Sequence, residues 1–400
     1  MNTPASTSPR KPWADWLIVA VFAGLLWLPT VDLLTGIDPT RSLGENRLLA
    51  PKPRLTQFDF IGVRHYVSAV ELYFNDHFGF RKRLIRWFQQ WRERLYHDHG
   101  SVQKGAMEGQ HGWLFYSGLG TYEHYLGTAR FTPAELRTWQ KVLEKRRDWL
   151  AARGIKYYFV IPPDKHNVYP EELPAWLQAA APTHREIMLD QFLQYMREHS
   201  TVNIIDLRPA LLAAKATAPT YLQNDTHWNT FGAFAGSQEI IRTLSRDFPD
   251  LPALRLENFN WTNQPETGGD LSRILGAEPP EKNAFIFTPK PPLTAPVIHL
   301  VTNLALHHWD VRNTNAFSVL AETTGSLQET AVVFHDSFLG VRYRPFLGSC
   351  FKQVLFVWEN REFNTRIIAE YHPNIVINEM LERFFETQDP AELLAKDAVP

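Results

Sequence analysis

Five short runs of β-branched and aromatic residues constrain this chain more than anything else in it. They are residues 156–161 (K-Y-Y-F-V-I), 202–207 (V-N-I-I-D-L), 331–334 (A-V-V-F), 352–357 (K-Q-V-L-F-V) and 374–378 (N-I-V-I-N). Between them the apolar spacing turns helical over 182–198, 229–244 and 362–371. Another helix over 132–152 precedes the first run, opened by Thr132-Pro133-Ala134-Glu135, a capping box with proline at the first helical position, and ended by Gly154. Runs that are apolar at successive positions are buried on both faces, and strands alternating with helices pair in parallel through right-handed crossovers. The expectation is an α/β domain over 131–400: a three-layer, doubly wound parallel sheet. Residues 260–325, rich in Pro, Thr and Asn, read as an inserted loop region or small β subdomain.

The chain ahead of this domain divides by composition. Residues 63–130 form a lead-in with helical spacing at Tyr66, Val70, Tyr73 and Phe74, then at Leu84, Trp87, Phe88, Trp91 and Leu95, followed by a short aromatic strand in G-W-L-F-Y. Asp76 and His77, adjacent between those helices, suit a cap and a surface residue better than a catalytic pair. Residues 35–62 read as a tether. Residues 13–34 are apolar over close to the ~20 residues a membrane helix needs, with Asp15 and Asp32 near its ends. Arg10 and Lys11 before it keep residues 1–12 in the cytoplasm and export the rest. An uncleaved transmembrane signal anchor is therefore expected, placing the domain on the periplasmic face of the inner membrane. Its rivals are a cleaved signal peptide, for which no A-x-A-like site follows the apolar core, and a buried soluble helix, which the length of the run disfavours. A formal charge of −2 without a basic stripe excludes a nucleic-acid partner. A lone cysteine, Cys350, excludes an internal disulfide or a thiolate metal cluster.

In a parallel sheet, ligands meet the residues just past the carboxyl ends of the strands. The run 331–334 ends in His335, Asp336 and Ser337, which makes Ser337 a candidate nucleophile. Most serines are solvated or cap a helix, so a base and an orienter are required. Asp225-Thr226-His227-Trp228 supplies both, since residues two apart on an extended segment point to one side. Asp225 can then hold one tautomer of His227, His227 can act as general base and acid, and Ser337 can be acylated and pass the acyl group to water or to a hydroxyl. Alone, D-x-H is more often structural or metal-binding.

Other residues carry two readings. The Ser337 backbone N–H is a candidate oxyanion donor. Arg342 and Tyr343 are candidates for a second donor or a substrate contact, against a surface arginine and a packed tyrosine. Asp336, grouped with them, is assigned to backbone hydrogen bonds that shape the turn. Asp225, His227, His335 and Asp336 could alternatively ligate a metal. Asp164-Lys165-His166 either lines the site or orders a loop, and Gly268-Gly269-Asp270 either approaches substrate or makes a tight turn. Glu379 and Glu382 fit the start of a helix.

D-T-H-W followed far downstream by H-D-S-F, together with I-P-P-D-K-H-N-V-Y-P, G-W-L-F-Y and P-N-I-V-I-N-E-M-L-E-R, resembles the SGNH-hydrolase-like alginate O-acetyltransferase family of bacterial exopolysaccharide clusters. The likeness covers about residues 70–387. It implies that Asp225, His227 and Ser337 are the triad, in inverted order relative to ordinary SGNH esterases, as though the domain were circularly permuted. It also implies acetyl transfer to hydroxyls of an exported polysaccharide, with a polytopic membrane-bound O-acyltransferase as acetyl supplier and no cofactor. His335 stands where the family's block has Gly. A carbohydrate esterase using the same triad and a non-catalytic polysaccharide-binding scaffold are the alternatives.

Overall fold

The computed structural model describes residues 105–266, 269–275, 282–291, 293–301, 318–324, 327–340, 344–359 and 363–397, with isolated positions between 16 and 80. The chain divides into two units, Met1–His97 and Asp98–Pro400. Among the described residues no helix is long and apolar enough to cross a membrane. The anchor expected over 13–34 falls largely on residues outside those described, as do Asp76, His77, Trp87 and Trp91.

Strands of the second unit, in chain order, are β1 (Ala106–Glu108), β2 (Leu114–Tyr116), β3 (Lys156–Ile161), β4 (Asn203–Asp206), β5 (Phe259–Glu266), β6 (Lys282–Pro289), β7 (Val297–Val301), β8 (Ser318–Glu322), β9 (Thr330–Phe334), β10 (Gln353–Val357) and β11 (Ile375–Glu379). The five expected runs are β3, β4, β9, β10 and β11. They stand side by side in the order β4-β3-β11-β9-β10, all parallel. Alternation along each strand sorts their side chains into two cores, one on each face of the sheet. Ala331, Val333, Ile375, Ile377, Val354 and Phe356 lie in one, while Val332, Phe334, Val376, Leu355 and Val357 lie in the other. Burying each such side chain contributes about 1.5–3 kcal/mol, which is why runs without a polar face end up at the centre.

The sheet is mixed, correcting the expectation of a purely parallel one. β8 joins β10 antiparallel and β7 joins β8 antiparallel, extending the sheet to seven strands. Both come from the 260–325 segment, whose remaining strands β5 and β6 form a separate two-stranded antiparallel ribbon. The five expected runs are parallel; the antiparallel strands are β7, largely exposed, and β8, from a segment whose composition does not mark which sheet edge it joins. Direction is set by the connection, and β8 reaches the sheet before β9 in the chain.

The helix Pro133–Ala151 begins as expected: Thr132 Oγ accepts from Glu135 N at 3.2 Å, and the Glu135 carboxylate accepts from Thr132 N at 2.7 Å. Arg146 on this helix is fully buried and forms two bonds to Asp397, at 2.7 and 2.8 Å, and one to Asn378 Oδ1 at 2.6 Å. That pair fastens the end of the described chain to the back of the sheet.

Candidate active site

Chain leaving β9 passes through His335 and Asp336 into a tight turn at Ser337. Asp336 shapes it: Oδ1 accepts from Phe338 N at 2.9 Å and Oδ2 from Leu381 N at 2.9 Å, while Asp336 N donates to Glu379 Oε2 at 2.8 Å. Both carboxylate oxygens of Asp336 thus serve the backbone, and the turn is tied to the end of β11. Burial pushes the Asp336 carboxyl upward against the lowering effect of those N–H donors. Glu379, fully buried, is pushed well above the ordinary range by burial and then by the Asp336 charge. Ser337 is half-buried between buried neighbours, so its hydroxyl stands at the one open position of the turn.

Asp225 and His227 arrive on a loop pinched at its base. Tyr221 and Trp228 form an isolated antiparallel bridge, and Leu222 N donates to His227 O at 3.2 Å. Asn229 closes the loop by capping the helix Thr230–Leu244, its Oδ1 accepting from Gly232 N at 2.9 Å. The two active loops meet through Phe338, whose ring lies 5.0 Å from that of His227 and 5.2 Å from that of Trp228. Trp228 Nε1 donates to Phe338 O at 3.0 Å. Ser337 and His227 are therefore held by a shared apolar contact as well as by their own bond.

The resulting geometry is a relay: His227 Nε2 lies 2.8 Å from Ser337 Oγ, and His227 Nδ1 lies 2.7 Å from Asp225 Oδ1. Asp225 Oδ1 also accepts from His227 N at 3.0 Å, an Asx-turn that bends the chain and carries the imidazole back to the carboxylate, where the sequence suggested an extended segment. With Nδ1–H donated to the carboxylate, Nε2 is free to accept the serine proton. Burial resists charging the ring. The hydrogen bond that His227 donates to Asp225 and the charges of Asp225 and Asp270 outweigh it, and the His227 pKa is raised despite the opposing charge of Arg383.

Three residues of this site carried no catalytic assignment in the sequence reading. Lys165, just past β3, is buried and donates to Leu114 O at 2.6 Å, Gln223 O at 2.9 Å and Asp225 O at 3.1 Å, joining the G-W-L-F-Y strand to the D-T-H-W loop. Arg383, buried, pairs with Asp164 and lies 5.8 Å from the Phe338 ring. Asp270 stands beside His227, its Oδ2 3.7 Å from Nδ1. So Asp164-Lys165-His166 orders loops instead of lining an open cleft. Glu382, expected at a helix start, spends its carboxylate on Asp164 N at 2.6 Å and Asn167 Nδ2 at 2.8 Å.

His335 and Asp336 do not join Asp225 and His227 in a ligand set. His335 is fully buried, its Nδ1 donates to Asp336 O at 2.6 Å, and its ring packs edge-on to Phe356 and Trp358. Burial lowers its pKa to about 3, so it stays neutral. Among the described residues, Asp225, His227 and Asp270 are the group close enough to share an ion. The carboxylates and imidazole there already satisfy one another and Thr226. Arg342 and Tyr343 lie outside the described residues.

Residues 106–287 match the family described as "SGNH hydrolase-like domain, acetyltransferase AlgX", a span that holds Asp225, His227 and Asp270 and ends before Ser337. A "Probable alginate O-acetylase AlgJ" of Pseudomonas syringae pv. tomato is 24% identical over 285 residues, 69% of this chain and 63% of that protein, so less than two thirds of the relative is spanned. Among solved structures, PatB1 of Bacillus cereus shares the fold at TM-score 0.52 and 17% identity, over 70% of this chain and 97% of that one. A DHHW family protein of Eubacterium siraeum does so at TM-score 0.52 and 15% identity, over 75% and 98%. These findings show the likeness drawn from the motifs, to the SGNH-hydrolase-like alginate O-acetyltransferase family.

Proposed function

We propose that this chain is an O-acetyltransferase that moves acetyl groups to hydroxyls of an exported polysaccharide through an acetyl-Ser337 intermediate. The observation that carries the reading is the unbroken run of bonds from Ser337 Oγ through His227 to Asp225, at 2.8 and 2.7 Å. In the first half-reaction Ser337 Oγ attacks the acetyl carbonyl while its proton passes to His227 Nε2. Asp225 stabilises the imidazolium without taking the proton. Collapse of the tetrahedral adduct expels the donor's oxygen, which takes the proton back from Nε2. In the second half-reaction His227 removes the proton of an acceptor hydroxyl, which attacks acetyl-Ser337 and regenerates the serine. General acid–base transfer of this kind supplies about 10²–10⁴-fold.

The oxyanion needs donors, each worth about 2.7–4 kcal/mol of barrier in comparable sites. Phe338 N–H is committed to Asp336 and Gly340 N–H to Ser337 O, so the Ser337 N–H is one donor the turn can offer. Base before nucleophile in the chain supports a permuted SGNH order. The apolar stretch over 13–34 after Arg10 and Lys11 supports a periplasmic domain on a membrane anchor, supplied with acetyl groups by a polytopic O-acyltransferase.

The test is turnover of a chromogenic acetyl ester with and without oligosaccharide acceptor, with products read by mass spectrometry. Acetylated sugar that disappears in Ser337→Ala and survives chelator supports the reading. Free acetate alone would convert it to a carbohydrate esterase. Activity lost to chelator yet retained by Ser337→Ala would overturn the serine mechanism. Polymer acetylation in cells that survives Ser337→Ala and His227→Ala but not deletion of the chain would make it a scaffold.

A further inference from the structure

Resting on that acyl-transfer reading, we propose that Asp270 is a second positioning carboxylate of the catalytic histidine, its charge stabilising the imidazolium that forms when Ser337 gives up its proton. Asp270 reaches the site because Gly269 passes against the backbone of Asn224: a Cβ on Gly269 would stand 2.3 Å from Asn224 O. Gly269 also holds φ at +149°, outside the ordinary range of residues with side chains. This close approach brings Asp270 into reciprocal contact with the D-T-H segment. Its N–H donates to Asp225 Oδ2 at 3.1 Å, its Oδ1 accepts from Thr226 N at 2.7 Å, and its Oδ2 accepts from the Thr226 hydroxyl.

Oδ2 of Asp270 lies 3.7 Å from His227 Nδ1, too long for the bond that Asp225 makes at 2.7 Å but close for two opposite charges. Asp270 therefore makes no bond of its own to the ring. It contributes a fixed negative charge on the flank of the ring opposite the nucleophile. The groups that face His227 are Asp225 and the neutral Thr226 hydroxyl on its own loop, the latter 3.3 Å from Nδ1, Asp270 from the Gly269 turn, Arg383 from the helix Glu382–Thr387, which opposes charging, and neutral Ser337 and Phe338 from the turn after β9. Two carboxylates against one guanidinium favour the charged ring.

A mere brace for Thr226 is the competing role, and charge separates the two. Asp270→Asn removes the charge and keeps an acceptor of the same shape. Thr226→Val removes the side-chain bond to Asp270 and keeps the charge. For each variant, kcat/KM for a chromogenic acetyl ester is followed against pH, and the His227 ring is titrated directly by NMR. With a neutral ring required as base, Asp270→Asn is expected to move the acid limb and the NMR midpoint down by about one pH unit, the low end for loss of an adjacent opposite charge. Thr226→Val leaves both in place while lowering the plateau. Asp270→Ser carries the same test if Asp270→Asn does not fold. An unmoved midpoint in the neutral variants, or an equal shift in Thr226→Val, would overturn the proposal. Should the protein lack Ser337-dependent ester turnover, the acyl-transfer reading fails, while the NMR titration still decides the charge role of Asp270.

Discussion

Replacing Lys165 by methionine tests whether the site is built from the middle of the sheet outward. The side chain keeps its length and its apolar stem beside Trp113 and Phe115, whose rings lie 4.9 and 5.2 Å from Nζ, and loses only the ammonium. Three buried or part-buried carbonyls, of Leu114, Gln223 and Asp225, then lose a charged donor. Bonds to a charged group contribute about 1.5–3 kcal/mol each, and a buried carbonyl left unsatisfied costs ~1–3 kcal/mol. The variant no longer has to desolvate an ammonium, which offsets part of that loss. The net expectation is destabilisation by about 3 kcal/mol, which at about 2–4 °C per kcal/mol lowers Tm by ~6–12 °C. Since Asp225 O is one of the three anchors, the folded variant should also lose about tenfold in kcat with KM little changed, as small misplacements of a catalytic group do. Calorimetry and ester kinetics on purified protein measure both. A variant that matched the parent in Tm and kcat would show that the loops converge without Lys165, and the reasoning would be wrong.

Gly269→Ala forces a Cβ to within 2.3 Å of Asn224 O at a φ of +149°, so chemical denaturation should show a loss of about 1–3 kcal/mol or more, together with reduced activity. Arg146→Met leaves Asp397 as an uncompensated buried carboxylate; it should cost about 3–5 kcal/mol in the same assay while the folded fraction keeps its kcat/KM, because the pair sits behind the sheet. In the parent protein the acid limb of kcat/KM should have its midpoint above the ordinary histidine value of about 6.5, since the neutral ring is the base and its pKa is raised; a midpoint below that value would contradict the paired geometry of His227 with Asp225 and Asp270.

What was legible along the chain was whatever short-range chemistry encodes. The capping box at Thr132 and Glu135 formed because both partners lie three residues apart. Asp225 and His227 do meet, two residues apart, but through a bend closed by the Asp225 bond to His227 N and not through alternation along an extended segment. The helix expected over 182–198 begins instead at Met188, since Ala181 and Pro182 end the short helix Ala175–Ala180 that precedes it. The antiparallel strands β7 and β8 were not legible, because a Pro- and Thr-rich segment offers no sign of which edge it will reach. Asp270 was open between a close approach to substrate and a tight turn; the packing of Gly269 on Asn224 places it beside His227. Lys165 was open between two roles until three carbonyls from two distant segments were seen to converge on it.

By itself the sequence determined which five runs are buried, where the capped helix at Thr132 opens, and which residue types could transfer an acyl group, because burial and capping are decided by side chains a few positions apart. Tertiary structure decided that Ser337 and His227, 110 residues apart, stand 2.8 Å from each other, which distant backbone N–H the Asp336 carboxylate reaches, and that Asp270 flanks His227. Those distances depend on which loops the sheet order gathers at the carboxyl ends of β3, β9 and β11. Strand order is a property of the whole folded domain and of no single segment.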